Sequence, residues 1–221
     1  MNLDFFIFDN SLLIYLIESK SMSLFRKLFG SVNPASDEDK NNIDDKFSIE
    51  NDVSLEEQFI FNFKKNGGKF LYCENDIEVK DHFENILAEN DWFESEALCY
   101  EPKLYSMLEE NNIKHISSTS PLFLFANCEN LIADEGSVLL SSKQIKQLKP
   151  NELPENIVIV ATTSQIIESK SDGLSVIKKK YIKDYPTNIT TIKYFKKAVN
   201  EDFTQYGSTA KNLYLLLLED L

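Results

Sequence analysis

The chain alternates short apolar runs with polar, turn-forming stretches, and from about Ser54 onwards the alternation has the rhythm of helix and strand. Ser54-Leu55-Glu56-Glu57 has the form of a capping box, in which the serine side chain accepts from an amide three residues on and the glutamate reaches back. Phe59, Ile60 and Phe63 supply a helical apolar stripe, and Gly67-Gly68 stops the helix. Lys69-Phe70-Leu71-Tyr72-Cys73 reads as a strand, and a second helix from about Asp76 carries Val79, Phe83, Ile86 and Leu87 on its buried side. Ala97 to Tyr100 is the next strand. Pro102 to Glu110 is the next helix, with proline early, where its missing N–H costs nothing. Ile113 to Ile116 reads as a further strand, and the alternation predicts a parallel sheet with helical crossovers.

The second half changes character. Leu122 to Ala126 is continuously apolar, and Leu131-Ile132-Ala133 and Val138-Leu139-Leu140 flank a hairpin-like turn, Asp134-Glu135-Gly136-Ser137. Pro150 and Pro154 punctuate a loop, after which Ile157-Val158-Ile159-Val160-Ala161 has the unbroken apolar form of a strand buried on both faces. Ile166-Ile167 and Val176 to Ile182 read as helical segments, and Leu213 to Leu218 as a second central strand, too short to span a bilayer. The fold class expected is therefore α/β: a mainly parallel sheet with flanking helices and a hairpin-like insertion.

The chain before Ser54 follows a different pattern. Leu12 to Ile17 is apolar but only six residues long, with Asp4, Asp9 and Glu18 around it and no basic leader region, so neither a transmembrane segment nor a signal peptide is expected. Met22 opens a stretch that would serve as a natural start, and residues 1–22 read as a non-native or flexible N-terminal extension. Leu24, Phe25, Leu28 and Phe29 would share one helix face beside Arg26 and Lys27. An acidic linker containing Asp37, Glu38, Asp39, Asp44, Asp45, Glu50 and Asp52 follows. Residues 23–53 are thus a short amphipathic segment and linker, and 54–221 the folded domain.

Composition narrows the function classes. The 221-residue chain is 43% hydrophobic and 27% charged, ordinary for a globular domain. Its net charge of −13, with Arg26 as the only arginine, disfavours nucleic acid as a partner, because phosphate neutralisation by Lys and Arg supplies most of that affinity. Cys73, Cys99 and Cys128 are widely separated and form no CxxC pair, so no metal site, cluster or other cofactor is expected, and free thiols suit the cytoplasm. Six glycines are too sparse for a dinucleotide or P-loop fingerprint.

Several constellations admit two readings. Thr162-Thr163-Ser164, between a buried strand and a helix, offers hydroxyls and amides that either cap the helix or hold an anion. Asp134, Glu135, Gly136 and Ser137 form either a solvated turn or a pair of carboxylates over a cleft. Gly207, Ser208 and Lys211 lie in a loop before the last strand that would cradle an anion through backbone amides and the lysine. His82 and His115 stand alone, and Lys178-Lys179-Lys180-Tyr181-Ile182-Lys183 reads as the solvated face of a helix.

Three stretches, in this order, resemble the LUD family, whose best-known branch is the LutC-type lactate-utilisation protein. They are Cys128 to Leu140, with its strand, acidic-glycine turn and strand; Leu153-Pro154 followed by Ile157 to Val160 and Thr163-Ser164-Gln165-Ile166; and Tyr206-Gly207-Ser208 through Lys211 to Asp220. The likeness covers about residue 54 to the end. It implies a fold similar to the sugar-isomerase and CoA-transferase-like group. It also implies an accessory or interaction subunit working beside iron–sulfur-containing lactate-utilisation proteins, without an evident catalytic site of its own. The alternative is a small-molecule binder or minor enzyme acting on an organic acid or acyl ester. Where many relatives carry glycine, serine and arginine, Asn188 to Lys197 has neither glycine nor arginine, which implies that an anion site there is lost or rebuilt from hydroxyls and lysines.

Overall fold

The structure is a computed structural model that describes residues 54–115, 119–195 and 211–220. The expected extension 1–22, the segment and linker 23–53, and Gly207 and Ser208 lie outside the described residues.

Helix α1 (Leu55–Lys65) begins on the anticipated capping box, with the Ser54 side chain accepting from the Glu57 amide and the Glu57 carboxylate accepting from the Ser54 amide. Strand β1 (Lys69–Cys73) leads into helix α2 (Asp76–Asn90), capped by the Asn75 side chain, and all four of its predicted core residues are buried. Then come β2 (Ala97–Leu98), a 3-10 turn over Pro102–Leu104 and helix α3 (Tyr105–Glu110). Of the strand expected over Ile113 to Ile116, the described residues 113–115 form a bridge, Glu96 to Lys114, and Ile116 lies outside the described residues. Strands β3 (Phe123–Asn127), β4 (Asn130–Ile132) and β5 (Ser137–Ser141) follow, then the single-turn helix α4 (Ser142–Ile145) and β6 (Asn156–Thr162). The chain continues through β7 (Ile166–Ile167), helix α5 (Lys170–Lys180), β8 (Ile189–Ile192) and β9 (Asn212–Leu218).

Five strands form an all-parallel sheet in the order β1-β9-β6-β3-β2. The two strongest apolar runs, β6 and β9, lie side by side in its middle, paired from Asn156 with Asn212 to Thr162 with Leu218. Both faces of these strands are covered, which is why they are apolar throughout. Phe123, Phe125, Val158, Tyr214 and Leu216 pack under α2 and α3, where Phe83 stacks on Phe125 with ring centroids 4.4 Å apart. The opposite face, including Leu124, Ile157, Ile159 and Leu215, packs against α1 and a second sheet.

That second sheet is mixed, in the order β7-β4-β5-β8, and the sequence does not announce it. The hairpin is real, β4 pairing antiparallel with β5, but it is the centre of a four-stranded sheet and not an isolated insertion. Ile166-Ile167, expected in a helix, instead pairs with β4 as the short edge strand β7. The other helical expectation is displaced as well: α5 begins at the Ser169–Asp172 capping box and ends at Lys180, leaving Ile182 84% exposed beyond it. Leu131, Val138 and Leu140 face the parallel sheet, whereas Ile132 and Leu139 pack against Ile177 of α5.

Candidate functional site

In an open parallel sheet the crevice for ligands lies beyond the carboxyl ends of the strands. At that edge the chain leaves β3 and crosses directly into the second sheet through Cys128 and Glu129, and the Glu129 amide donates to the Leu139 carbonyl at 2.8 Å. The Glu129 side chain is only 1% exposed. Its carboxylate accepts from Ser141 Oγ at 2.6 Å, Gln144 Nε2 at 3.2 Å, Tyr181 OH at 3.0 Å and Lys180 Nζ at 2.9 Å. Local sequence sets these donors. Ser141 is the N-cap of α4, and in its capping box the Gln144 carbonyl oxygen accepts from the Ser141 amide at 2.9 Å, which turns the Gln144 amide group towards Glu129. Lys180 and Tyr181 close α5 and deliver an ammonium and a hydroxyl to the same carboxylate.

Burial alone would raise the Glu129 carboxyl. The hydrogen bonds from Ser141 and Lys180, with the lysine's charge, prevail and hold it below the ordinary range. Burial likewise works against the Lys180 ammonium, but Glu129 raises it. At pH 7 the pair is therefore fully ionised.

A second carboxyl stands beside it. Glu101 follows β2, the neighbour of β3, and occupies the N-cap position of the 3-10 turn over Pro102–Leu104 without a side-chain capping bond. Burial pushes its carboxyl above the ordinary range and Glu129 adds repulsion, against opposing contributions from the Asn127 amide, Lys180 and Lys103. Two carboxyls from adjacent strand ends are thus driven in opposite directions, the arrangement that separates a proton carrier from a fixed charge. The Lys146 ammonium lies 5.3 Å from the ring centroid of Tyr100, the residue before Glu101. Lys143 Nζ, paired with Asp184, is 5.3 Å from the Tyr181 ring centroid.

The candidate residues read from sequence are distributed elsewhere. Thr162, Thr163 and Ser164 do hold an anion, and it comes from the chain itself. Asp220 accepts from Thr163 Oγ1 at 2.9 Å, from the Ser164 amide at 2.9 Å and from Ser164 Oγ at 2.6 Å. Those hydrogen bonds hold its carboxyl down at about 2. Asp134, Glu135 and Gly136 form a turn clamped on α1, with Asn62 Nδ2 donating to the Ala133 carbonyl at 2.8 Å and Asn66 Nδ2 to the Glu135 carbonyl at 2.7 Å. Gly136 has φ +59, and a Cβ there would lie 2.3 Å from the Asn62 backbone, so the glycine serves this contact. Ser137 is buried and donates to Glu135 at 3.2 Å. Lys211 is buried with Nζ donating to the Leu153 carbonyl at 2.7 Å, and burial depresses its ammonium. It precedes β9, whereas Thr162 ends β6; Lys211 and Thr162 to Ser164 therefore lie at opposite ends of the β6–β9 pair.

The sequence reading passed over Glu101, Glu129, Ser141, Gln144, Lys180 and Tyr181. The lysine-rich stretch is not wholly a solvated face, since Lys180 turns inward. One signal was available: Glu129 is a lone acid between the apolar run Leu122–Ala126 and Leu131-Ile132-Ala133, and an acid inside such a run needs partners.

Among the described residues no helix is long and apolar enough to cross a membrane, and no group of three or more His, Cys, Asp or Glu is placed to hold a metal ion. No family model matches the sequence, and no curated protein matches it. In fold it is similar to the crystal structure of a DUF162 family protein from Deinococcus radiodurans, with a TM-score of 0.54 and 11% identity over 75% of this chain and 96% of that one. DUF162 is the LUD domain family. The likeness establishes a shared α/β fold.

Proposed function

We propose that the chain binds a small organic acid or its acyl ester at the carboxyl ends of β2 and β3. There the Glu101 carboxyl, raised by burial, holds a proton more readily than an ordinary glutamate, and the Glu129–Lys180 pair supplies a fixed ionic wall. The observation that carries this reading is the buried Glu129 carboxylate at the carboxyl end of β3, held by Ser141, Gln144, Tyr181 and the half-exposed Lys180, with Glu101 close enough to feel its charge. A carboxyl with a raised pKa donates or accepts a proton near neutral pH far more readily than an ordinary one. Glu129, saturated by four donors, positions and does not react.

The test is thermal unfolding with lactate, pyruvate and acetyl-CoA. A ligand present at about a hundred times its Kd adds roughly 2.7 kcal/mol to stability. At least one of the three is expected to stabilise the native protein and to lose that effect in Glu129→Gln. A flat response to all three in the native protein contradicts the proposal.

A second reading follows from the resemblance of Cys128 to Leu140 and the later stretches to the LUD family: an accessory subunit acting in the cytoplasm beside iron–sulfur lactate-utilisation proteins. Three buried, unpaired cysteines suit that compartment. Tagged protein recovered from native cells would then carry iron–sulfur partners with it, and reproducible recovery of the chain alone would argue against the role.

A further inference from the structure

We infer that Asn127, at the carboxyl end of β3, donates through its side-chain amide to the carbonyl oxygen of the bound ligand. It thereby selects a 2-oxo acid over an acid with no oxygen at that carbon. This rests on the organic-acid reading above and deepens it.

Asn127 is joined to both acids of the cluster. Gln144 Nε2 lies 3.2 Å from Asn127 Oδ1 and 3.2 Å from Glu129 Oε1, so one amide group bridges the asparagine and the buried carboxylate. The Asn127 backbone amide, in turn, acts on the Glu101 carboxyl against the burial that raises it. The residue is partly exposed, so a ligand can reach it.

The sheet opens at this point. β3 pairs with β6 as far as Asn127 with Val160, but with β2 only at Phe123 and Leu124. Past Leu124 the side of β3 that faces β2 has no ladder partner among the described residues, and the chain after β2 turns into the 3-10 turn at Glu101. A gap at the carboxyl edge of an open parallel sheet is the place for a ligand.

Local sequence fixes which end of the Asn127 side chain is available. Gln144 completes the capping box of α4, and its carbonyl oxygen accepts from the Ser141 amide at 2.9 Å. That oxygen is held by the helix cap, so Nε2 is the atom that faces Glu129 and Asn127, and its two hydrogens are taken by them. An amide nitrogen only donates, so the Asn127 atom facing it is the oxygen. Asn127 Nδ2 is left with no acceptor among the described residues. An asparagine with its acceptor engaged and its donors unspent is matched by a ligand oxygen that only accepts. A carbonyl is such a group, and the ligand class that follows is a small 2-oxo acid.

The experiment is calorimetric titration of the full chain with pyruvate and with propanoate, which lacks the carbonyl. The native protein is expected to bind pyruvate about ten times more tightly, the effect of one hydrogen bond. Asn127→Leu keeps a similar volume without the donor and should bring the two affinities together. A merely structural role for Asn127 would weaken both acids alike and leave their ratio unchanged, and that result overturns the inference. In nitrogen-correlated NMR of the native protein, the Asn127 side-chain amide signals should shift with pyruvate and stay in place with propanoate. Signals that do not move at saturating pyruvate overturn the inference even if the variant fails to fold. Equal binding of the two acids by the native protein overturns it as well and leaves the organic-acid reading standing. If neither acid binds, the inference falls, and the organic-acid reading falls with it when lactate and acetyl-CoA also fail to stabilise the protein.

Discussion

At the carboxyl edge of the parallel sheet the turn after β6 and the crossing after β3 each gather hydroxyl and amide donors around one carboxylate. After β6 the carboxylate is Asp220, solvent-exposed, and its described donors are neutral: Thr163, Ser164 and a backbone amide. After β3 it is Glu129, buried, with an ammonium among its donors and a second carboxyl, Glu101, within electrostatic reach. The first group fastens the end of β9 to the end of β6. The second holds one charge fixed, and burial with the Glu129 charge raises its neighbour above the ordinary carboxylate range. Donors around a carboxylate do not by themselves make a chemical site. The proposed site adds a buried ion pair and a second acid within electrostatic reach.

Removing the two carboxylates should affect stability unequally. Glu129→Gln leaves Lys180 without its charge partner and turns an amide donor towards Ser141, Gln144 and Tyr181. A loss of about 2–3 kcal/mol is expected in urea unfolding, below the full value for a buried pair because the lysine is half exposed. Lys180→Met strips the cation but keeps the neutral donors, and about 1–2 kcal/mol should be lost. Asp220→Asn should cost less than about 1 kcal/mol, since the latch is exposed and screened. If Asp220→Asn proved as damaging as Glu129→Gln, the distinction between latch and site would collapse.

Glu101→Gln should act in the opposite direction. A carboxyl whose folded pKa lies above its unfolded value destabilises the fold at neutral pH, and that cost fades as pH falls through the folded pKa. The variant should therefore match or slightly exceed native stability at pH 7, by up to about 1 kcal/mol. The native protein should gain stability between pH 7 and the ordinary carboxylate range, and the variant should not. Glu129 works with the other sign: its contribution is present above its unfolded pKa and is lost as pH falls through its depressed folded value. A Glu101→Gln protein that is clearly less stable at pH 7 would show the side chain to be a structural tie.

Much of the fold was legible because local chemistry and tertiary packing agreed. Ser54 and Glu57 form the box that their spacing predicts, Val79, Phe83, Ile86 and Leu87 are all buried, and β6 and β9 are the paired central strands. The errors fall where local pattern carries no information. Ile166-Ile167 is too short to show a period and becomes a strand only because β4 lies beside it. The start of α5, Lys170-Ser171-Asp172-Gly173, is polar and exposes no stripe, though Ser169 and Asp172 do form a capping box. The site was less legible than the fold. Glu129 meets partners 12, 15, 51 and 52 residues away, and a single chain gives no sign of such meetings. Thr162 to Ser164 attracted attention because its donors are adjacent in sequence, and adjacency also made it easy for the chain to fill them with Asp220.

The most direct test is the titration of the individual glutamate carboxyls by carbon-detected NMR on glutamate-labelled protein, assigned with Glu101→Gln and Glu129→Gln. The prediction is that the Glu101 signal moves above the ordinary carboxylate range and the Glu129 signal below it, each shifting when the other is replaced. If both titrate together near the ordinary value of about 4.3, the two acids do not divide the work and the proposed site is not one.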